Sequence, residues 1–215
     1  MVTSLIRTIG TEDFVFDCRR AILWARRKIL IASDLHWGKT QFLRSHGIAI
    51  SDRIFDEDLL RLSKLVKEYN PETVLVLGDL IHHQKSLSSS VIEKVAYFRN
   101  EHPCEFILLK GNHDRYTKFP ESWGIVEEND FYIDDFYFSH EFKKEMKDFQ
   151  FSGHIHPLMR LRSGVDELRL PSFILGEEFC LLPAFSHLTG GQDVKLEKGQ
   201  SALVLLENGI EIFEK

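Results

Sequence analysis

Short apolar runs alternate with stretches of helical period through the first half of the chain. Residues 28–32 (Lys-Ile-Leu-Ile-Ala) are too few for a helix and end at Ser33-Asp34, which predicts a buried strand delivering a polar loop. Ser51-Asp52 then opens a helix in which Phe55, Leu59, Leu62, Val66 and Tyr69 share one face, and Pro71 follows its end. A second strand over 73–77 runs into Gly78-Asp79. A second helix follows a serine cluster, carries Leu87, Val91, Val95 and Phe98 on one side and stops at His102-Pro103. A third strand over 105–109 leads to Gly111-Asn112-His113-Asp114.

Beyond that point the helical period fades and strands take over. Residues 131–133 and 136–139 flank Asp134-Asp135 as a hairpin, and 149–152 runs into Gly153-His154. Strands are predicted at 168–170, 173–175 and 179–182, and Asn208-Gly209 joins 201–206 to 210–213 as a hairpin turn. A βαβ first half followed by a mainly β second half predicts two packed sheets with helices outside. No repeat, low-complexity linker or block of like charge divides the chain, so a single domain over 1–215 is expected.

Composition narrows the function classes. A chain of 215 residues buries roughly 70% of its extended surface, and 43% hydrophobic content is enough to do so without staples. With 27 Lys+Arg against 33 Asp+Glu the formal charge is -6, so there is no broad positive field and any nucleic-acid contact depends on a local patch. No apolar run approaches a membrane span, and the first residues lack the pattern of a secretory signal. Cys18, Cys104 and Cys180 are widely spaced without a CxxC, which predicts neither a disulfide framework nor a cysteine zinc site. A reduced, cytoplasmic compartment is the expectation.

The chemistry gathers at the predicted strand ends: Asp34 and His36, Asp79, Asn112 with His113 and Asp114, His140, then His154 and His156. Singly, an Asp-x-His or a Gly-Asp is more often a turn or a helix cap than a ligand. Together they are distinctive, because loops at the carboxyl ends of strands in α/β architectures converge on one crevice. Carboxylate, amide and imidazole donors suit borderline divalent ions such as Mn²⁺, Fe²⁺ or Zn²⁺. Gly78, Gly111 and Gly153 allow close backbone approach at these turns.

Asp34-Leu-His36, Gly78-Asp79, Gly111-Asn-His-Asp114, Ser139-His140 and Gly153-His-Ile-His156 resemble, in order, the signature of the calcineurin-like metallophosphoesterases. The resemblance implies a four-layer α/β/β/α sandwich of two mixed sheets flanked by helices, with two divalent metal ions, Mn²⁺ foremost, at the strand ends. It implies one ion held by Asp34, His36, Asp79 and His156, and a second by Asp79, Asn112, His140 and His154, with Asp79 bridging. A metal-bridging hydroxide is the implied nucleophile, His113 the residue that stabilises transition-state charge and protonates the leaving oxygen, and Asp114 the orienter of its imidazole.

A closer resemblance spans almost the whole chain. Asp34-Leu-His-Trp-Gly-Lys39, Phe42-Leu-Arg-Ser-His-Gly-Ile48, Gly111-Asn-His-Asp-Arg115, Gly153-His-Ile-His-Pro157, Leu182-Pro-Ala-Phe185 and Thr189-Gly-Gly191 are similar to the bacterial ligase-associated DNA damage response endonucleases, the PdeM group. That implies a phosphodiesterase acting on DNA, single-stranded DNA foremost, in association with an ATP-dependent DNA ligase, a DEXH-box helicase and an exonuclease. The chain departs from the group at Ser186-His187 and in the serine-rich 86–90, both on the expected substrate-facing rim.

Arg44 and Arg115 are the candidate phosphate-gripping residues, with Lys39 and Arg160 weaker ones. Trp37 and Phe42 are candidates for base stacking against the simpler reading that they are core. His82 and His83 lie near the site or face water, and His46, His102 and His187 are expected at the surface. Two rival functions remain at this level: a small-molecule phosphodiesterase or phosphatase using the same metals, and a scaffold that has lost catalysis. The complete ligand set and His113 argue against the scaffold.

Overall fold

A computed structural model describes residues 2–163 and 166–215. Strands β1 (Ser4–Ile9), β2 (Glu12–Asp17), β3 (Ala21–Trp24) and β4 (Ile29–Ala32) form an antiparallel meander. β5 (Thr73–Val76), β6 (Glu105–Leu109) and β7 (Ile125–Glu128) then add in parallel beside β4, completing a seven-stranded sheet. Helix α1 (Lys39–Ser45) and helix α2 (Arg53–Tyr69) lie between β4 and β5, and α3 (Ser89–Glu101) between β5 and β6. As the periodicity predicts, α2 buries Phe55, Leu59, Leu62 and Val66, and α3 buries Val91, Val95 and Phe98. The Ser88 hydroxyl accepts from the Val91 N–H, capping α3.

The second sheet contains β8 (Asp130–Ile133), β9 (Phe136–Ser139), β10 (Phe149–Ser152), β11 (Leu158–Ser163), β12 (Asp166–Leu175), β13 (Phe179–Leu181), β14 (Ser201–Leu206) and β15 (Gly209–Glu214). Both predicted hairpins form, β8 with β9 around Asp134 (φ 52°) and β14 with β15 across Asn208-Gly209. The strands expected at 168–170 and 173–175 are one continuous strand. Its outer part pairs with β11 and its inner part with β14, and Pro171, which has no N–H, sits where the ladder changes partner.

The two sheets face each other over an aromatic core that includes Phe14, Phe16, Trp24, Phe136, Phe138, Phe151 and Phe173. On the other face of the first sheet, α2 and α3 enclose a second core with Trp37, Phe106 and Trp123. Trp37 is 1% exposed, so it is a core residue and cannot stack on a base. The outer face of the second sheet, around Ile174, Ala202 and Val204, is covered by Met159, Leu161 and Leu170 of the β11–β12 hairpin together with Val194 and Leu196. Two mixed sheets with helices packed outside the first are the expected architecture, and on this outer face of the second sheet the β11–β12 hairpin does the covering. The strands that position the chemistry are β4, β5 and β6 of one sheet and the mutually parallel β9, β10 and β13 of the other.

Candidate metal centre

All seven candidate ligands follow those strand ends. Asp34 and His36 follow β4, Asp79 follows β5, Asn112 follows β6, His140 follows β9, and His154 and His156 follow β10. Backbone bonds tie the loops together: Asp34 N–H donates to Gly78 O (3.1 Å), His36 N–H to Asp79 O (2.9 Å) and Gly153 N–H to His140 O (3.0 Å). The turns are tight enough to force unusual conformations. Asp34 (φ 55°), His36 (46°), Asp79 (48°), His154 (68°) and His156 (49°) all lie in the left-handed region, which is costly for residues with a Cβ and concentrates at functional sites. Gly78 (φ 80°) and Gly111 leave necessary space, since a Cβ would lie 2.2 Å from His140 Nδ1 at the first and 2.2 Å from Asp79 Oδ1 at the second.

Two groups of ligand atoms converge, Asp34 with His36 and His156, and Asp79 with His140 and His154. Asp34 Oδ2 accepts from the Ser33 hydroxyl (2.5 Å) and the His154 N–H (3.0 Å), while Oδ1 has no hydrogen-bond partner and lies 3.0 Å from His156 Nε2, which also has none. Both ring nitrogens of His36 are buried without partners. In the second group His140 Nε2 lies 3.1 Å from Asn112 Oδ1, 3.0 Å from His154 Nδ1 and 3.6 Å from Asp79 Oδ2. The Asp79 carboxylate falls with this second group. Only its backbone carbonyl hydrogen-bonds to the first.

The imidazoles are set in one tautomer by backbone carbonyls, which can only accept. His140 donates from Nδ1 to Leu77 O (2.9 Å) and His156 from Nδ1 to Gly190 O (2.9 Å), so both direct an Nε2 lone pair into the centre. This is the outer-shell arrangement that metal-binding histidines use. Burial drives His36 down to about 2, keeping it neutral. Burial opposes ionisation of Asp34, yet the His156, His140 and His36 imidazoles hold its carboxyl below the usual range. Burial pushes Asp79 up, the Asp34 charge adds to this, and the His140 imidazole opposes it. Converging lone pairs, orphaned buried polar atoms and two crowded carboxylates are what divalent cations relieve. The residues present fit two such ions.

His113 lies at the edge of this centre. Its N–H donates to Asp79 Oδ1 (2.9 Å), its Nδ1 donates to His82 O (2.6 Å), and its Nε2 stands 3.9 Å from Asp79 Oδ2. The expectation that Asp114 orients this ring is not met. Asp114 is fully buried and its carboxylate accepts instead from the backbone N–H groups of Gly111 (3.0 Å), Leu80 (3.3 Å) and Ile81 (3.3 Å). Burial, with Asp79 adding, pushes it up to about 7. Asp114 therefore stitches the β5 and β6 loops together, and the His82 carbonyl takes the role assigned to it. His82 also stacks on His113 with ring centroids 5.1 Å apart and forms a converging trio with it and His36. No residue-type signal identifies a backbone carbonyl in advance.

The rim departs further from expectation. Arg115 lines a cleft with Asn112 and His140, but Arg44 pairs with Asp52 (2.5 Å) and Arg160 with Asp193 and Glu167. Phe42 packs against His46, His82 and His83. His102 is 5% exposed rather than at the surface, with its Nε2 2.8 Å from the Ser63 hydroxyl.

Residues 27–182 match the calcineurin-like phosphoesterase family. A transmembrane protein with metallophosphoesterase domain from Danio rerio is 29% identical over 96 residues, 45% of this chain and 18% of that protein. The crystal structure of Pseudomonas putida nuclease MPE superposes with a TM-score of 0.85 at 27% identity, covering 97% of this chain and 100% of that one. Yfce, a phosphoesterase from E. coli, is 16% identical with a TM-score of 0.43, covering 86% and 97%. Among the described residues no helix is long and apolar enough to cross a membrane. Paired Asp–His clusters at the strand ends, in a chain matched over most of its length, make this protein a metal-dependent phosphoesterase that belongs to the calcineurin-like phosphoesterase family.

Proposed function

We propose that the chain is a binuclear, Mn²⁺-dependent phosphodiesterase that cuts single-stranded DNA internally. The observation that carries the reading is the pair of Asp–His clusters, the first of which holds four buried polar atoms without hydrogen-bond partners, in a chain superposable over nearly its full length on a nuclease. Asp34, His36 and His156 would hold one ion, and Asn112, His140 and His154 the other, with Asp79 between. When bound, the ions supply Lewis-acid polarisation of the phosphoryl oxygens and acidify water to a nucleophile.

The chain's own residues supply the rest. Because its Nδ1–H is committed to the His82 carbonyl, His113 has only Nε2 free to carry a proton to the leaving oxygen. Asp114 fixes the spacing of the β5 and β6 loops through three backbone N–H groups, and so sets where Asp79 and His113 stand. The place in DNA repair, with a DNA ligase, a DEXH-box helicase and an exonuclease, and the cytoplasmic location are supported by the sequence resemblance.

The test is cleavage of an end-labelled single-stranded oligodeoxynucleotide in Mn²⁺, with Asp79→Asn as the blank. Internal products that are absent from the blank are expected. Hydrolysis of a one-phosphate diester without cleavage of the oligonucleotide would instead favour a small-molecule substrate.

A further inference from the structure

Between the turn that follows β2 and the loop that follows β13 lies a cleft of about 310 Å³, lined by Arg20, His156, Arg169, His187, Thr189 and Gly190 among others. No carboxylate lines it among the described residues. The cleft shares His156 with the metal centre: the ring directs Nε2 at Asp34 and donates from Nδ1 to Gly190 O in the cleft wall. Gly191 keeps that wall close, since a Cβ there would lie 1.9 Å from His156 O.

Arg20 is the unusual member. Its backbone is left-handed (φ 70°) and its guanidinium points inward, Nη1 donating to Ser186 O (2.8 Å) and Ala184 O (3.2 Å). Its neighbours are otherwise matched: Arg19 pairs with Asp17 and Glu68, and Arg61 with Asp58 (2.9 Å). Among the described residues Arg20 has no carboxylate at ion-pair distance. Burial, then the Arg61 charge, lower it to about 10, so it stays cationic at neutral pH. A half-buried cation held only by carbonyls is open to pairing with an anion. Arg169, paired with Asp193 (2.5 Å) and donating to Gly191 O (3.1 Å), stands at the same mouth.

The cleft on the opposite side of the centre, beside Asn112 and His140, is different. Its lysines are already matched, Lys110 with Glu127 (2.5 Å) and Lys143 with Asp130 (3.0 Å), and Glu141 is part of its lining. Arg115, the remaining cation there, is exposed to solvent, so the less solvated unpaired cation is on the His156 side.

The geometry points to the Arg20 cleft as a phosphate subsite, which grips the backbone phosphate next to the one being cleaved and so selects a nucleic-acid strand over a compound with a single phosphodiester. The assignment rests on the nuclease reading above and deepens it. It gives the Leu182–Phe185 and Thr189–Gly191 segments, which hold no candidate ligand, a task as the wall of that subsite. It also gives the departure at Ser186-His187 a place, because Ser186 O holds Arg20 and His187 lines the cleft.

Arg20 also braces the metal loop, since Phe185 N–H donates to Ser33 O (2.7 Å) and Ser186 N–H to Asp34 O (3.3 Å). The test must separate bracing from phosphate binding. Wild type, Arg20→Met, Arg20→Lys and Arg169→Gln are compared in Mn²⁺ on a short single-stranded oligodeoxynucleotide and on bis(p-nitrophenyl) phosphate. Loss of a charge-assisted contact is expected to lower the ratio of kcat/KM, oligonucleotide over one-phosphate diester, about tenfold or more in Arg20→Met. Arg20→Lys restores part of the ratio, and Arg169→Gln, which leaves the Asp34 brace in place, lowers it less. In Ca²⁺, the salt dependence of oligonucleotide binding is expected to fall by about 0.7 in log–log slope for Arg20→Met. Equal losses on both substrates, or an unchanged ratio and slope, would overturn the subsite while the nuclease reading stands. A wild type that hydrolyses the diester and leaves the oligonucleotide intact would remove that reading and the subsite with it.

Discussion

The two ligand clusters are built from the same residue types but stand in different states. Around Asp34, His36 and His156 four polar atoms are buried without a partner. In the second cluster His140 Nε2 lies 3.0 Å from His154 Nδ1 and 3.1 Å from Asn112 Oδ1, with Asp79 Oδ2 farther off at 3.6 Å, and no ligand atom of Asp79, His140 or His154 is buried without a partner. The difference teaches that ion binding does different work on the two sides. At the first an ion would relieve buried groups left without hydrogen bonds, and at the second it would enter among polar atoms already close to one another. The first position is accordingly expected to bind more tightly and to contribute more to folding.

The sharpest test of the comparison is to remove the carboxylate proposed to stand between the clusters. Asp79→Asn is expected to lower kcat on a phosphodiester by about 10²- to 10³-fold or more, and activity within tenfold of wild type would show that the clusters act independently of it. Next is removal of metal. If ions at about a hundred times their Kd stabilise the native state by about 2.7 kcal/mol, a chelator should lower Tm by about 5–10 °C. Most of that drop should disappear in His36→Asn and less in His154→Asn, and the reverse order would invert the comparison.

The smallest effect is a pH signature of the first cluster. His36 is held at about 2 by burial against an ordinary value of 6.5. Between those values the unfolded chain binds a proton that the folded chain refuses, so stability in chelator should fall as pH falls below about 6.5, by up to about 1.4 kcal/mol per pH unit for this one group. Denaturant titrations of wild type and His36→Asn across that range check it, and equal slopes would show that His36 is less isolated than its geometry indicates.

The sequence made much of this visible where residue type and period carry the signal. α2 and the strands β4, β5 and β6 follow from apolar spacing, and the ligand types at their ends mark the crevice. Edge elements were hidden for physical reasons. β7 has the sequence Ile-Val-Glu-Glu, three of whose residues are exposed, and β1 alternates only between exposed and half-buried positions, so neither shows a buried run. α1 buries only Thr40 and starts behind a left-handed Gly38, and so has no apolar face to betray it. At the site, whatever depends on a side chain meeting backbone escaped notice: Asp114 on three N–H groups, His113 on the His82 carbonyl, and Arg20 on the carbonyls of 184 and 186. Those partners exist at every position of the chain and are distinguished only by folding.

The left-handed backbone at Asp34, His36, Asp79, His154 and His156 has a consequence for descent. At these five positions the residues that chemistry requires carry a Cβ, whereas Gly adopts the same conformation with less strain. Selection for heat resistance alone would therefore erode the centre before the sheets, and a lineage released from its phosphoesterase task should drift toward more robust, metal-free chains.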